Sequence, residues 1–250
     1  MRAGALAWVR TGFGRATALH FLDGGWEVVA TMRHPSPEGL PEADRLRVLP
    51  LDVTDGASIA AALTQAGPLD ALVNNAGVGM LNVLEGVGID RARELFEINF
   101  LGMMGVTHAA MPAMRRQGHG VIVNISSAVT LKALPALSVY SASKAAVNAF
   151  TESLALEAAP FGIRTRLVLP GSAPETAFGR NAVARMGMDV PDDYGPFMQA
   201  VLGSLRAARD RTQAGDVAEA VWRAVTEPDA PMRLLAGADA RAMADAQSAA

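Results

Sequence analysis

The sequence predicts an α/β protein: a doubly wound, mostly parallel sheet with helices on both faces, in a single domain. Three observations lead there. Strand-length apolar runs alternate with segments of helical period along the whole 250 residues. The runs are apolar nearly throughout, as happens when helices cover both sides of a parallel sheet. Half of the residues are hydrophobic and 19% are charged, which fits a chain with a sizeable core and disfavours disorder.

The elements follow in order. Residues 6–9 form a weak first strand, and 26–32, Trp-Glu-Val-Val-Ala-Thr-Met, a stronger second. Further strands are expected at 46–51, 71–74, 121–125, 164–169 and 233–235. The first helix, 15–24, stops at Gly24-Gly25. A short helix fits between Asp55 and Asp70, and longer ones cover 90–116 and 138–159. A last helix places Val217, Val221, Trp222 and Val225 on one face behind Asp216. Residues 174–211, with Pro174, Gly179, Gly187, Pro191, Gly195 and Pro196, break the alternation. Coming after a strand's carboxyl end, they are expected to form a lid over the crevice where such sheets take ligands. The Ala-rich end, 240–250, is expected to fray.

Composition removes several classes of function. A formal net charge of −3 without a basic run leaves no footprint for nucleic acid. With no cysteine there is no disulfide framework, thiolate metal site or cysteine catalysis. His20, His108 and His119 lack metal-ligand spacing, so no metal is expected. No apolar run reaches the roughly 18–20 residues that span a bilayer, and Met1 to Trp8 is short for a signal-peptide core with its cleavage site. The expectation is a soluble, cytoplasmic protein without membrane or nucleic-acid partners.

Gly12-Phe13-Gly14 opens the first helical segment, where bare backbone and a helix N-terminus suit a pyrophosphate. Alone this is a weak signal. Asp52-Val53 after the third strand, Asn74-Asn75-Ala76-Gly77 after the fourth, and then Asn99, Ser127, Tyr140 and Lys144 strengthen it. Together these residues resemble the short-chain dehydrogenase/reductase family, the single-domain Rossmann-fold type of similar length, over residues 12–239. The resemblance implies that Asp52 meets the adenine amino group with Val53 packed beside it. It implies that Asn75, Ala76 and Gly77 line the nicotinamide side and that Pro170 and Gly171 cover the nicotinamide ring. After Pro170-Gly171 the chain has one residue more than the family's Pro-Gly-x-x-x-Thr, so Thr176 receives no role.

The phosphate turn departs from the family's Thr-Gly-x-x-x-Gly-x-Gly. Counting back from Gly12 puts Ala7 at the threonine and Trp8 at the first glycine. An indole there fills space that the family leaves to backbone, and a non-glycine residue in such a turn costs about 1 kcal/mol or more. This departure is what favours the alternative reading, a binding or scaffold protein on the same fold without turnover. The second strand ends Met32-Arg33-His34. Met32 carries no charge to repel a 2′-phosphate, Arg33 offers one a planar cation, and His34 is a bystander. NADP(H) is therefore expected as the cofactor, with NAD(H) as the alternative.

Hydride transfer to a carbonyl needs a proton donor at the oxygen. Tyr140 and Lys144 stand i, i+4 on one helix face, and a neighbouring ammonium is expected to lower a phenol whose ordinary pKa is ~10. Lys144 and Lys132 are the only lysines in an arginine-rich chain. Lysine's compact charge suits bonding to ribose hydroxyls as well. Ser127 ends a buried strand thirteen residues before Tyr140, the family's spacing for its catalytic serine. Asn99 has poor propensity for mid-helix; the resemblance gives it a broken helix ladder and a water that extends the proton relay. The expected activity is NADP(H)-dependent hydride transfer on a carbonyl or secondary alcohol. Phe178, Met186, Met188, Tyr194, Phe197 and Met198, with Arg180 and Arg185 among them, suggest a mainly apolar small-molecule substrate. Family analogy adds a homodimer or homotetramer built on the helices that carry Asn99 and Tyr140.

Overall fold

Seven strands form one sheet: β1 (Gly4–Trp8), β2 (Val28–Met32), β3 (Leu46–Pro50), β4 (Leu69–Asn74), β5 (Gly120–Ile125), β6 (Ile163–Pro170) and β7 (Arg233–Ala236). Their order is β3-β2-β1-β4-β5-β6-β7, and every pairing is parallel. The computed structural model describes residues 4–8, 12–36, 38–173, 190–207 and 210–248, with backbone alone at 4–8 and 248. The order reverses between β1 and β4, which opens a crevice beyond the carboxyl ends of those strands.

The helices are α1 (Phe13–Asp23), α2 (Gly56–Ala66), α3 (Ile89–Phe96), α4 (Met103–Gln117), α5 (Ser138–Ala158), α6 (Gly195–Ala207), α7 (Ala214–Thr226) and α8 (Ala238–Ser248). The pleat's period of two divides the apolar strand residues between two cores. Val28, Ala30, Val73 and Val123 pack with Phe21 of α1 and Val217 and Val221 of α7. Val29, Leu72 and Ile122 pack on the other side, with Ile59 of α2, Met114 of α4 and Leu154 of α5. Asp55 starts α2 by accepting from Ala57 N at 2.9 Å, and Gln213 with Asp216 forms a capping box on α7.

Three features differ from expectation. β1 begins at Gly4, so the Trp8 backbone lies within the strand, in register with Thr31. The turn at 9–11 and the position of the indole lie outside the described residues. The expected single helix over 90–116 is broken: between α3 and α4 the backbone widens to a π-helix, Glu97–Gly102. The tail expected to fray is α8, with Ala240 fully buried and Met243 and Ala244 packed against the same cluster as Leu167 and Leu169. Small alanine side chains let this helix sit close to the sheet, which its composition alone did not indicate. Of the lid, 174–189 and 208–209 lie outside the described residues, and with them Thr176, Phe178, Arg180, Arg185, Met186 and Met188. Residues 190–207 form a turn at Asp192–Tyr194 and then α6, which buries Met198 and Val201. No described helix is long and apolar enough to cross a membrane.

Ile122 is fully buried whereas Leu156 is 80% exposed. In urea denaturation, Ile122→Ala is expected to lower the unfolding free energy by about 3 kcal/mol. Leu156→Ala should lower it by no more than about 0.5 kcal/mol. Equal losses would contradict the assignment of the second core.

Candidate active site

The sequence-predicted residues converge on one cavity of about 460 Å³ at the carboxyl ends of the strands. Its walls include Gly12 and Phe13 at the start of α1, Arg33 and His34 after β2, and Asp52 and Val53 after β3. Asn75, Ala76 and Gly77 follow β4, Ser127 follows β5, Tyr140 and Lys144 project from α5, and Pro170 and Gly171 end β6. Gly14 and Asn99 are not among the lining residues. Gly14 is buried inside the first turn of α1, where a glycine permits close helix packing.

Gly12 caps α1 with φ 63° and ψ −127°, a conformation that glycine reaches readily and side-chain-bearing residues rarely adopt. The cavity therefore meets bare backbone at a helix N-terminus, the arrangement that favours an anion. Arg33 is exposed on the same wall. Asp52 accepts from Thr54 N at 3.0 Å and from Thr54 Oγ1 at 2.7 Å. These bonds, with weaker help from Arg33 and His34, hold its carboxyl below the usual range.

One face of α5 organises the opposite end. Lys144 Nζ donates to Ile125 O at 2.9 Å, fixing the ammonium beneath the last residue of β5. A turn further on, Asn148 accepts from Ser126 Oγ at 2.5 Å and donates to Thr130 Oγ1 at 3.0 Å. Thr130 Oγ1 in turn donates to Ser127 O at 2.8 Å, so Asn148 brackets the serine. Ser127 Oγ accepts from Val129 N at 3.3 Å and makes a side-chain hydrogen bond with Tyr140. Ser127 thus caps the turn Ala128–Thr130 and pairs with the phenol at once.

Below this level a polar network joins sheet and helices. Asn74 Nδ2 donates to Thr107 Oγ1 at 2.9 Å and to Asn124 Oδ1 at 2.8 Å, and Asn124 Nδ2 donates to Thr151 Oγ1 at 2.8 Å. Buried amides and hydroxyls paired in this way lock β4, β5, α4 and α5 together under the site.

Asn99 lies in the π-helix, so the break in the ladder that the resemblance implies is present. Its side chain accepts from Val78 N at 2.7 Å and donates to Val78 O at 2.9 Å and Ser143 Oγ at 3.2 Å. These bonds place it behind the wall, tying the π segment to the loop after β4 and to α5. A Cβ added to Gly77 would stand 3.4 Å from both Asn99 Oδ1 and Lys144 Nζ, so the three groups adjoin.

The phenol differs from expectation. Burial pushes Tyr140 up to about 12, and the Ser127 hydrogen bond pulls it the other way. Met80 and Leu95 bury it, with Leu137 and Val139 alongside. In that apolar surround desolvation outweighs any help from the lysine, whose own pKa burial pushes down to about 8. Through neutral pH the site therefore holds a protonated phenol beside an ammonium, a proton donor ready for an oxygen that gains negative charge.

Sequence reasoning missed several lining residues, among them Thr54, Glu94, Glu97, Ile98, Ser126 and Ala173, and treated His34 as a bystander although it lines the cavity. The spacing i, i+3, i+4 of Glu94, Glu97 and Ile98 was an available signal for a shared helix face. Among the described residues no His, Asp or Glu cluster could hold a metal ion.

A parallel sheet with this switch point, and a serine, tyrosine and lysine gathered at its carboxyl ends, defines a dinucleotide-dependent oxidoreductase site. A family model described as short chain dehydrogenase matches residues 9–186, and the chain belongs to that family. It is 34% identical over 232 residues to the uncharacterized oxidoreductase YusZ of Bacillus subtilis, covering 87% of this chain and 82% of that protein. It is 32% identical over 234 residues to a 3-ketodihydrosphingosine reductase of Bacteroides thetaiotaomicron, covering 91% and 84%. A short-chain dehydrogenase from Burkholderia cenocepacia, solved in complex with NADP, superposes with a TM-score of 0.79 at 26% identity, covering 100% of this chain and 95% of that one. Complexes with NADH or NAD also occur among the solved neighbours.

Because the Ser127 hydrogen bond lowers the phenol's pKa, Ser127→Ala is expected to raise it further. Tyr140 and Tyr194 are the only tyrosines, so ultraviolet difference titration against Tyr140→Phe isolates the signal. An unchanged titration in Ser127→Ala would contradict the pairing.

Proposed function

We propose that the protein transfers hydride between NADP(H) and a carbonyl or secondary alcohol on a mainly apolar small molecule. The observation that carries this reading is the Ser127–Tyr140 pair beside Lys144, in the same cavity as Gly12 and Arg33. The residues present suit a dinucleotide. Gly12 offers backbone to a pyrophosphate, Arg33 a fork to a 2′-phosphate, Lys144 an ammonium to ribose hydroxyls, and Pro170 and Gly171 a wall to the nicotinamide.

When bound, the reduced nicotinamide supplies the hydride to the carbonyl carbon. The protein's side chains handle the oxygen. Tyr140 gives its phenolic proton to that oxygen as charge develops, and Ser127 holds the same oxygen through its hydroxyl. Lys144 balances the phenolate that remains, which its fixed place under β5 allows without rearrangement. Asn99 acts from behind the wall by holding Val78 and Ser143 in place. The apolar cluster around Tyr140 favours an apolar substrate, as does the sphingoid ketone named for the Bacteroides relative. Self-association as a dimer or tetramer fits the exposed Leu101 and Leu156 on the helices concerned.

Tyr140→Phe is expected to reduce NADPH oxidation with an aldehyde and ketone panel by at least about 100-fold, the scale of general acid catalysis, while NADPH affinity stays within about twofold. Unchanged turnover would exclude the mechanism; wild-type protein that binds NADPH but oxidises it with no carbonyl would favour the binding-only reading. Arg33→Ala is expected to weaken NADPH about tenfold, the loss of one charge-assisted contact, and to leave NADH unchanged in fluorescence titrations. Equal effects on both cofactors would remove Arg33 from the phosphate site.

A further inference from the structure

The wall formed by Pro170 and Gly171 has to stay in place at the end of an edge-side strand, next to a stretch rich in proline and glycine. What holds it lies far away in the sequence. Gly171 N donates to Thr212 Oγ1 at 2.9 Å, Ser172 N donates to Asp239 Oδ2 at 2.5 Å, and Thr212 N donates to Ser172 O at 2.9 Å. Thr212 Oγ1 lies 2.7 Å from Asp239 Oδ1 and 2.9 Å from Ala236 O, so its single proton is directed between them. Thr212 is 3% exposed and Asp239 8% exposed. A carboxylate so enclosed needs its donors, and both oxygens of Asp239 have one.

The packing is close enough to dictate glycine. A Cβ on Gly171 would collide with the Asp239 carboxylate, and one on Gly237 with the Thr212 hydroxyl. Thr212 precedes α7 and Asp239 lies in the first turn of α8, so the loop after β6 is tied to two later elements at once. We propose that Asp239 and Thr212 are positioning residues that hold the Pro170-Gly171 wall against the cofactor. Neither touches the cavity. Their effect passes through the backbone of 171 and 172. The inference rests on the proposed use of NADP(H).

Isosteric changes separate this role from folding. Thr212→Val keeps the shape and removes the hydroxyl; Thr212→Ser keeps the hydroxyl. Asp239→Leu keeps much of the volume and removes both acceptors. Purified full-length variants are titrated with NADPH by fluorescence at a temperature where circular dichroism shows each to be folded. Thr212→Val and Asp239→Leu are expected to weaken NADPH about tenfold, the effect of one buried hydrogen bond, and Thr212→Ser to stay within about twofold of wild type. Wild-type affinity in folded Thr212→Val and Asp239→Leu would overturn the proposal. So would failure of both to fold while Thr212→Ser folds, because the pair would then serve the fold alone. Wild-type protein that does not bind NADPH would instead overturn the cofactor assignment on which this proposal stands.

Discussion

The site depends on how one face of α5 docks against the carboxyl end of β5. Tyr140, Lys144 and Asn148 recur every four residues, so a single helix register sets them all. Lys144 reaches Ile125 O, Asn148 bonds Ser126 and Thr130 on the two sides of Ser127, and Thr151 accepts from Asn124 further down. The contacts cross from the helix to β5 or to the turn that follows it. The distance between the serine and the phenol is therefore fixed by the packing of regular elements, with a short capped turn completing it. Sites built on such elements keep their geometry better than sites built on loops alone.

Burial gives the same arrangement its chemistry. The phenol stands among Met80, Leu95 and Leu137, and the lysine lies beneath the carboxyl end of β5, so water is excluded from both. Exclusion favours the neutral forms and pushes the two pKa values apart, up to about 12 for the tyrosine and down to about 8 for the lysine. For a group that must give up a proton only when an oxygen develops charge, a protonated resting state is an advantage. Ser127 then supplies the directional bond that makes proton loss easier.

Much of the fold was legible because both faces of the sheet are covered. The runs around Val28, Leu72, Ile122 and Val168 are buried on either side, and continuous apolar stretches of that length have few other uses. The glycines, serine, tyrosine and lysine of the cavity wall were legible because they fall at motif spacing, whereas Thr54, Glu94, Glu97 and Ile98 belong to no such motif. The rest depended on contacts between distant segments. The π-helix around Asn99 leaves the apolar period of its neighbours almost unaltered, so 90–116 reads as one helix. Helix α8 is made of alanines with a weak amphipathic pattern, and it is the sheet surface that stabilises it. The upward shift of the phenol comes from residues sixty and forty-five positions earlier, Met80 and Leu95, which no local spacing reveals. The departure at Ala7-Trp8 concerns side chains outside the described residues, and the neighbouring Gly12 retains a conformation suited to a phosphate.

The central claim is that this cavity holds a nicotinamide dinucleotide with its reactive ring facing Tyr140. A crystal structure of the protein with NADPH tests it most directly. The account predicts the pyrophosphate at Gly12, the 2′-phosphate beside Arg33, the ribose on Lys144 and the nicotinamide between Tyr140 and the Pro170-Gly171 wall. A saturated crystal with the dinucleotide elsewhere, or with the Trp8 indole in the pyrophosphate's place, would contradict it.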